Sequence, residues 1–434
     1  ITPNAEGDWI NQRNEAFEAF TAIGAKVGKG EKKHVTIFKT YSQGINTSRD
    51  AWVYSFSHSD LTANVQRMID FYNSQLDAFN DYCAANGVAD RKFEVDSFID
   101  LDPAKISWDR GIRDDLARNR HYNYRAAAVR LSAYRPFTRE LAYFDRDLNA
   151  MIYQLDRVFP TQAHANVGFY LNVGGTNAPF CSLLIDSLPN LNYFGQGGQF
   201  FPRWTYEKST EQGNLYAADD ASGYHCVDNI TDAILADYRT TYGAAVSKDD
   251  VFYYVYGILH SPAYCIEFAS DLKKMLPRIP KVSDFVGFAA AGHGLADLHL
   301  GYETAEPYPL CEQLAAPAGM SDAAIYRVAK MSFGKGAGTT KDRSRIVYNS
   351  HLTLTGIPDD AYRYMLGSRS AIEWIIDRYQ VKTDKPSGIV NDPNDWSTDI
   401  GNPRYIVDLL KRIVTVSIET MRIVDALPGL DVIG

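Results

Sequence analysis

Residues 38–54 read Phe38-Lys-Thr-Tyr-Ser-Gln-Gly-Ile-Asn-Thr-Ser-Arg-Asp-Ala-Trp-Val-Tyr54 and precede a long amphipathic segment. Val35–Phe38 and Ala51–Phe56 predict two short strands, joined by a turn that contains glycine and asparagine. A helix is predicted to follow, with Asp60 as its cap and Asn86-Gly87 as its end. Its apolar positions recur at helical spacing at Leu61, Val65, Met68, Ile69, Tyr72, Leu76, Phe79 and Tyr82.

Beyond this helix the sequence pattern changes three times. Short β-like runs alternate with turn residues from about residue 94 to 210, and residues 228–306 have a helical pattern. Residues 323–355 return to strands around a glycine-rich loop, and a closing helix is predicted from near Asn402. The signals for helix starts in the second half are Ser247 with Asp250, and Ser261 with Pro262. The predicted fold class is α+β (mixed α/β), with a β-rich middle and helical segments.

Composition excludes several classes of protein. The 434 residues carry 44 Lys and Arg against 53 Asp and Glu, a net charge of −9, which excludes a uniformly basic, histone-like binder of nucleic acid. No apolar run approaches the roughly 18–20 residues of a membrane helix, so no membrane partner is predicted. The chain begins at Ile1 with neither an initiator methionine nor a signal peptide, as we expect of a portion of a longer polypeptide. Five scattered cysteines without a Cys-x-x-Cys pair indicate free thiols and a cytoplasmic location.

No self-contained catalytic motif is found. Gly334–Lys341 is glycine-rich, but its order is not that of a P-loop. Asn391-Asp392-Pro393-Asn394 lacks the second proline and the aromatic residue of an adenine methyltransferase loop, which makes it a turn. His293 and His299 are six residues apart and do not share a helical face, so we predict structural histidines and no metal site. The prediction for this chain is therefore no catalytic residue.

Positive charge is concentrated in two stretches. Arg110–Arg139 contains eight arginines against two aspartates, a local charge of +6, with three tyrosines interleaved. Arg327–Arg345 contains six basic residues against one aspartate and includes the glycine-rich loop. Arginine suits bidentate contact with phosphate or guanine, and glycine permits a close approach to a nucleic-acid backbone. Internal ion pairing is the alternative interpretation of either stretch.

Seven strings in order resemble one known family. In this sequence they are Phe38–Tyr54, Tyr134-Arg135-Pro136-Phe137, Phe201–Glu207, Val251–Pro262, Pro277-Arg278-Ile279-Pro280, Leu295–Glu303 and Trp374–Thr383 with Ser387-Gly388-Ile389. They resemble the C-terminal part of type ISP restriction–modification polypeptides, also described as helicase-like adenine-specific DNA methyltransferases. The resemblance spans nearly the whole chain, and it departs from the family's recurrent Thr-Asn-Arg-Asp only at Ser48 of Thr47-Ser48-Arg49-Asp50.

The resemblance implies a two-lobed target recognition architecture. Its function would be sequence-specific recognition of double-stranded DNA. It divides the chain into the tail of a methyltransferase module (1–90), a β-rich lobe (91–225) and a helical and mixed lobe (226–434). A methyltransferase core of the same parent polypeptide is the implied partner. S-adenosylmethionine, ATP and Mg, with adenine-N6 methylation, translocation and cleavage, are expected only in that parent, and no cofactor is expected in this chain.

The resemblance assigns no base-reading residues, because these vary with the target sequence. The candidate DNA contacts therefore rest on the charge pattern, and they are Arg49, Arg120, Arg125, Lys335, Lys341, Arg343 and Arg345. Two other functions stay open from the residues alone. The 13% aromatic content and many acids allow a carbohydrate-active hydrolase with a carboxylate pair, and the basic patches allow a protein-interaction scaffold.

Overall fold

Ser57 starts the longest helix of the protein, and Gly87 ends it. The Ser57 hydroxyl accepts a hydrogen bond from the Asp60 amide at 3.2 Å, so the helix begins two residues before the predicted cap. Gly87 has a φ of 59°, a left-handed conformation that glycine adopts without strain. The predicted strand Ala51–Phe56 is wrong in its first half, because Asp50–Val53 forms a helical turn before a two-residue strand.

The computed structural model describes residues 2–3, 8, 10, 12–25, 35–173, 178–209 and 223–433. None of the helices in these ranges is long and apolar enough to cross a membrane. The α-helices are α1 Asp50–Val53, α2 His58–Asn86, α3 Arg91–Phe98, α4 Arg110–Ala117, α5 Leu155–Val158, α6 Asp232–Tyr242, α7 Lys248–His260, α8 Pro262–Glu267, α9 Ala269–Leu272, α10 Phe285–Leu300, α11 Asp322–Ile325, α12 Ala371–Arg378, α13 Pro393–Asp399 and α14 Tyr405–Asp425.

The strands form several small sheets. In chain order they are β1 Thr21–Ala22, β2 Tyr54–Ser55, β3 Val129–Arg135, β4 Thr138–Tyr143, β5 Gly168–Leu171, β6 Ser182–Ile185, β7 Leu188–Pro189, β8 Gln199–Pro202, β9 Trp204–Lys208, β10 Tyr224–Asp228, β11 Arg278–Ile279, β12 Cys311–Leu314, β13 Ser332–Lys335, β14 Lys341–Val347, β15 Leu352–Thr355, β16 Met365–Leu366, β17 Arg369–Ser370, β18 Lys382–Thr383 and β19 Val390–Asn391. The larger sheets have the orders β2-β4-β3-β7, β6-β5-β8 and β12-β15-β14-β13. Their pairings are antiparallel, apart from β3 with β7. The predicted α+β class is confirmed.

The first apolar core lies between the sheet β2-β4-β3-β7 and three helices, α2, α3 and α4. The apolar stripe predicted for α2 faces this core. Helices α3 and α4 differ from the β-like pattern predicted for residues 94–210. Their caps explain them: the Asp90 and Asp109 carboxylates accept hydrogen bonds from amides in the first turns of α3 and α4.

The second core is built around α7 and α10, which pack against each other and against β6-β5-β8. The predicted capping box of Ser247 and Asp250 starts α7. The two helices are in backbone contact, because a Cβ at Gly292 would lie 1.8 Å from the Tyr253 carbonyl oxygen. Gly257 faces α10 in the same way, since a Cβ there would lie 2.3 Å from the Phe288 oxygen. Larger side chains at these two positions would force the helices apart.

The third core connects the other two. It holds α12, α14 and the sheet β12-β15-β14-β13, and it also takes in Phe137 and Tyr170 from the regions of the other sheets. The predicted limits of the lobes do not coincide with gaps between cores. Residue 90 lies between two helices of one core, and residue 225 lies within β10. The assignment of residues 1–90 to a methyltransferase module stays a prediction.

Candidate nucleic-acid interface

The arginine-rich stretch 110–139 is neutralised by carboxylates that the fold brings to it. Arg120 lies 3.3 Å from Asp115 and 2.5 Å from Asp147. Arg125 is bonded through Nε to the buried Asp145 at 2.8 Å. The remaining pairs with carboxylates join Arg110 to Asp114, Arg113 to Asp96, Arg118 to Asp115, and Arg139 to Asp186 and Glu303.

Two further arginines of this stretch are buried. Arg130 donates to the carbonyl oxygens of Phe159 at 3.4 Å and Thr161 at 2.8 Å. Arg135 donates to the Asn190 side-chain oxygen at 2.8 Å, and its guanidinium lies over the Tyr134 ring. The local charge of +6 is therefore not free surface charge. Arg120 and Arg125 keep exposed faces, but a phosphate would have to compete with Asp115, Asp147 and Asp145 for them.

Arg49 has a structural task. Its side chain is 1% exposed, its Nη2 lies 2.6 Å from the Asp109 carboxylate, and its Nε donates to the Ser107 carbonyl oxygen at 3.2 Å. Burial lowers the pKa of Arg49, and the neighbouring Asp109 opposes that change. Because Asp109 also caps α4, this ion pair ties the residues before α1 to α4. No face of the guanidinium is open to a phosphate, so we leave Arg49 out of the interface.

The second basic stretch forms an exposed hairpin, β13–β14, which we call the basic hairpin (332–347). Its turn is closed by a hydrogen bond from the Gly336 amide to the Thr340 oxygen at 3.0 Å, and Gly338 has a φ of 64°. Phe333 pairs with Ile346, but the next residue, Gly334, pairs with Asp342. The register of the two strands therefore shifts between Phe333 and Gly334. Residues 343–345 therefore bulge out of the ladder with β13.

The bulge presents two arginines to solvent. Arg343 lies over the Tyr362 ring at 4.1 Å and is 3.3 Å from Glu373, and its side chain is 43% exposed. Arg345 is equally exposed, pairs with Asp342 at 2.9 Å and donates to the Lys335 carbonyl oxygen at 3.1 Å. The absence of a side chain at Gly334 makes room for Arg345, because a Cβ there would lie 2.8 Å from its Nε.

Lys335 and Lys341 face each other across the hairpin beside its turn. Their side chains are exposed, and neither makes an ion pair with a residue that the structure describes. The Lys341 amine lies 5.9 Å from the centre of the Phe333 ring. Because no carboxylate among the described residues compensates these two charges, they can attract an anion without first breaking a pair.

The structure brings together four of the seven predicted contacts, namely Lys335, Lys341, Arg343 and Arg345. It separates them from the paired Arg120 and Arg125 and from the buried Arg49. Sequence reasoning missed Tyr362, which comes from a 3-10 helix at Asp359–Tyr362 and supports Arg343. No local sequence signal links these two residues, since the contact arises from tertiary packing.

The histidines considered for metal binding have ordinary partners. His299 is buried, with its Nδ1 2.6 Å from the Tyr256 hydroxyl and its Nε2 2.9 Å from the Thr420 hydroxyl. His293 lies 3.1 Å from Asp297. Over the described ranges, no three His, Cys, Asp or Glu side chains are grouped so that they could hold a metal ion.

Comparison with protein families and solved structures gives one consistent result. Residues 36–409 match the model of the Type ISP C-terminal specificity domain, a match that includes residues 36–90. A nuclease-deletion mutant of the Type ISP restriction–modification enzyme LlaGI in complex with a DNA substrate mimic is 35% identical, with a TM-score of 0.83. The ATP-dependent Type ISP enzyme LlaBIII bound to DNA is 32% identical at a TM-score of 0.83, and DrdV in a DNA complex is 30% identical at 0.81.

Each of these alignments covers 100% of this chain, but only 36%, 26% and 40%, respectively, of the longer chains. No curated protein matches the chain. Nothing in the comparisons supports the carbohydrate-active hydrolase that composition had left open.

Proposed function

The chain belongs to the Type ISP C-terminal specificity domain family, and from this premise we propose that it recognises the DNA target of a restriction–modification polypeptide. The observation that carries the proposal is the likeness, over the whole chain, to two Type ISP enzymes, LlaGI with a DNA substrate mimic and LlaBIII bound to DNA, and to DrdV in a DNA complex. The likeness combines at least 30% identity with TM-scores above 0.8. Recognition of duplex DNA needs shaped loops on a rigid support and no catalytic residue.

The remaining activities belong, in this proposal, to other parts of the parent polypeptide. A methyltransferase core would be the partner of this chain, and S-adenosylmethionine, ATP and Mg would be bound outside it. Adenine-N6 methylation, translocation and cleavage would follow once this chain has positioned the DNA. A cytoplasmic location suits such a protein and its five scattered cysteines, which include no Cys-x-x-Cys pair.

We propose that the basic hairpin holds the DNA backbone. Lys335 and Lys341 carry uncompensated charge, and Arg343 is held in place by the Tyr362 ring. Contacts of this kind with phosphates release counterions, so the logarithm of the binding constant should fall linearly with the logarithm of the salt concentration. The hairpin would thus supply affinity and orientation without reading sequence.

A salt titration of duplex binding tests the proposal. The complete polypeptide that carries this chain should bind duplex DNA with a steep salt dependence. The substitutions Lys335→Ala and Lys341→Ala should each reduce the slope by about 0.9, equally for all DNA sequences. Lys273→Ala is the matched control, because Lys273 is also exposed and makes no ion pair with a described residue.

The slope decides between the outcomes. Binding to no duplex would overturn the proposed function. Binding with a slope that the hairpin substitutions leave unchanged, or that Lys273→Ala reduces equally, would overturn the role of the hairpin alone. Arg343→Lys tests the geometry of the side chain apart from its charge. It keeps the positive charge but removes the planar guanidinium over Tyr362, so we expect weaker DNA binding.

A further inference from the structure

A concavity of about 570 Å³ lies where three segments meet, and no residue of the basic hairpin lines it. The segments are residues 41–43, residues 146–154 and the first residue of β8, Gln199. We call this place the amide concavity (41–43, 146, 149–154 and 199). Sequence reasoning assigned it no function.

Backbone hydrogen bonds fix the three segments to one another. Ser42 and Phe200 exchange amide–carbonyl bonds of 2.9 and 2.6 Å, and Asn46 and Met151 exchange two bonds of 2.9 Å. The Ser42 hydroxyl also accepts from the Gln154 amide at 3.1 Å. The rim of the concavity is therefore anchored to β8, which is part of a packed sheet. The backbone that carries the side chains of the concavity is therefore held in place.

The functional groups of the concavity are carboxamides. Gln43, Gln154 and Gln199 line it, and their side chains make no hydrogen bond with any residue in the described ranges. A set of carboxamides that share one concave surface offers hydrogen-bond donors and acceptors together, without net charge.

Asn149 supplies an independent sign of a missing partner. It lines the same concavity and is only 4% exposed. Its Oδ1 accepts the Asp145 amide at 3.0 Å, but its Nδ2 is buried with no hydrogen-bond partner among the described residues. Buried donors in native proteins nearly always have a partner, so an unpartnered one requires an explanation.

The backbone beside Asn149 is strained. Tyr153 has a φ of 50°, a left-handed conformation that is costly for an aromatic residue. Strain of this kind persists where the surrounding structure enforces it, and it is concentrated at binding sites. It presents Tyr153 and the neighbouring Gln154 side by side at the concavity.

Charge identifies the class of ligand. Arg146 is the charged residue of the lining, and its guanidinium is held 2.5 Å from Asp156. A phosphate would find no free cation among the described residues of the lining, whereas the edge of a base pair would find amides. Asn and Gln pair through two hydrogen bonds with the N6 and N7 atoms of adenine in the major groove, and Arg pairs with guanine.

We propose that the amide concavity reads base-pair edges of duplex DNA, with Gln43, Gln154 and Gln199 as the specificity-determining residues. This inference rests on the proposed function, and it assigns the reading of sequence to residues other than those of the basic hairpin. Asn149 acts as a positioning residue, because its side chain holds the Asp145 backbone below the rim.

The test is selection of bound duplexes from a randomised pool by the complete polypeptide and its variants. Gln43→Glu, Gln154→Glu and Gln199→Glu keep the shape of the side chain but replace a donor with an acceptor and add a negative charge. Since a carboxylate accepts from the N4 amine of cytosine, we expect at least one variant to shift its preference at one position from adenine to cytosine, by about tenfold. Gln66→Glu makes the same change on the exposed face of α2 and should leave the selected sequence unchanged.

The outcomes separate this inference from the proposed function. A changed preference at one position supports the amide concavity as the reading site, also where the added negative charge weakens binding to every duplex by the same factor. Unchanged selectivity in all three folded variants, or equal losses for every sequence, overturns it while duplex binding stands. A parent that binds no duplex at all overturns the proposed function and this inference together.

Discussion

The arginine-rich stretch (110–139) and the basic hairpin (332–347) are both rich in basic residues but have opposite electrostatic surroundings. The first carries more arginines, yet its charges are paired with carboxylates or buried against carbonyl oxygens. The second carries fewer basic residues, yet two of its lysines lack an ion-pair partner among the described residues. A count of charge along the chain therefore favours the first stretch, whereas uncompensated charge among the described residues favours the second.

The comparison also separates two uses of arginine. Within the first stretch the guanidinium is a structural group, because its planar donors satisfy carbonyl and carboxylate oxygens that come from distant segments. Within the hairpin, aromatic rings and a bulge hold the guanidinium at the surface. Substitutions in the first stretch should therefore change stability, and those in the second should change binding.

The largest expected effect is that of a substitution at Arg49. This residue lies outside both stretches, but its guanidinium forms a buried ion pair, as a structural arginine does. Arg49→Ala should lower the free energy of unfolding by about 3 kcal/mol, because it leaves Asp109 without its buried partner. Denaturant unfolding measures this loss, and the salt slope of DNA binding should not change. A stable Arg49→Ala protein with a reduced slope would instead make Arg49 a DNA contact.

Glu140 directly follows the arginine-rich stretch, and it makes the stability of this region depend on pH. Burial raises the pKa of Glu140 to about 7, although the Asn391 amide donates to it at 3.0 Å. Its contribution to stability is fully present below the unfolded pKa of about 4.5 and is lost as the pH rises through 7. Glu140→Gln should therefore be more stable than the parent at pH 8, by about 3 kcal/mol, and the two should converge near pH 4.5.

Unfolding of the Glu140→Gln protein and its parent, followed in denaturant at pH 4.5, 6 and 8, measures the difference. A stability difference that stays constant with pH would show that folding does not raise the pKa of Glu140.

The double substitution Lys335→Ala/Lys341→Ala tests the other half of the comparison. It should reduce duplex affinity about tenfold at physiological salt, or about 1.4 kcal/mol. Its free energy of unfolding should stay within about 0.5 kcal/mol of the parent value, because both side chains are exposed. A large loss of stability would mean that these lysines have structural partners after all.

The smallest expected effect is that of Arg120→Ala. Arg120 is half exposed, although Asp115 and Asp147 are less so, and the loss of stability should be at most about 1 kcal/mol, with DNA affinity unchanged. Arg422→Ala, which removes a more exposed pair with Glu419 on α14, is the control. Weaker duplex binding by Arg120→Ala alone would place the arginine-rich stretch in the interface and remove the contrast between the two stretches.

Local signals in the sequence predicted the elements whose ends depend on neighbouring residues. Gly87 ends α2 and the capping box starts α7 through contacts between residues close together in the chain. The ends of these helices can therefore be predicted from the sequence alone. Helices α3 and α4 were missed because each is only eight residues long, and their stability comes from packing in the core that they share with α2.

The order of residues in the chain was enough to predict the family resemblance, the mixed fold class and the long helices. It also showed no catalytic motif. Each of these depends on local sequence pattern. The partners of the charges did not, because Arg120 meets Asp147 and Arg139 meets Glu303 only after distant segments have packed together. The amide concavity has the same origin, with Gln43 and Gln199 brought to one surface by backbone bonds between residues far apart in sequence. Electrostatic energy depends on distance in space, and this is why only the folded structure shows which of the described basic residues have a carboxylate partner.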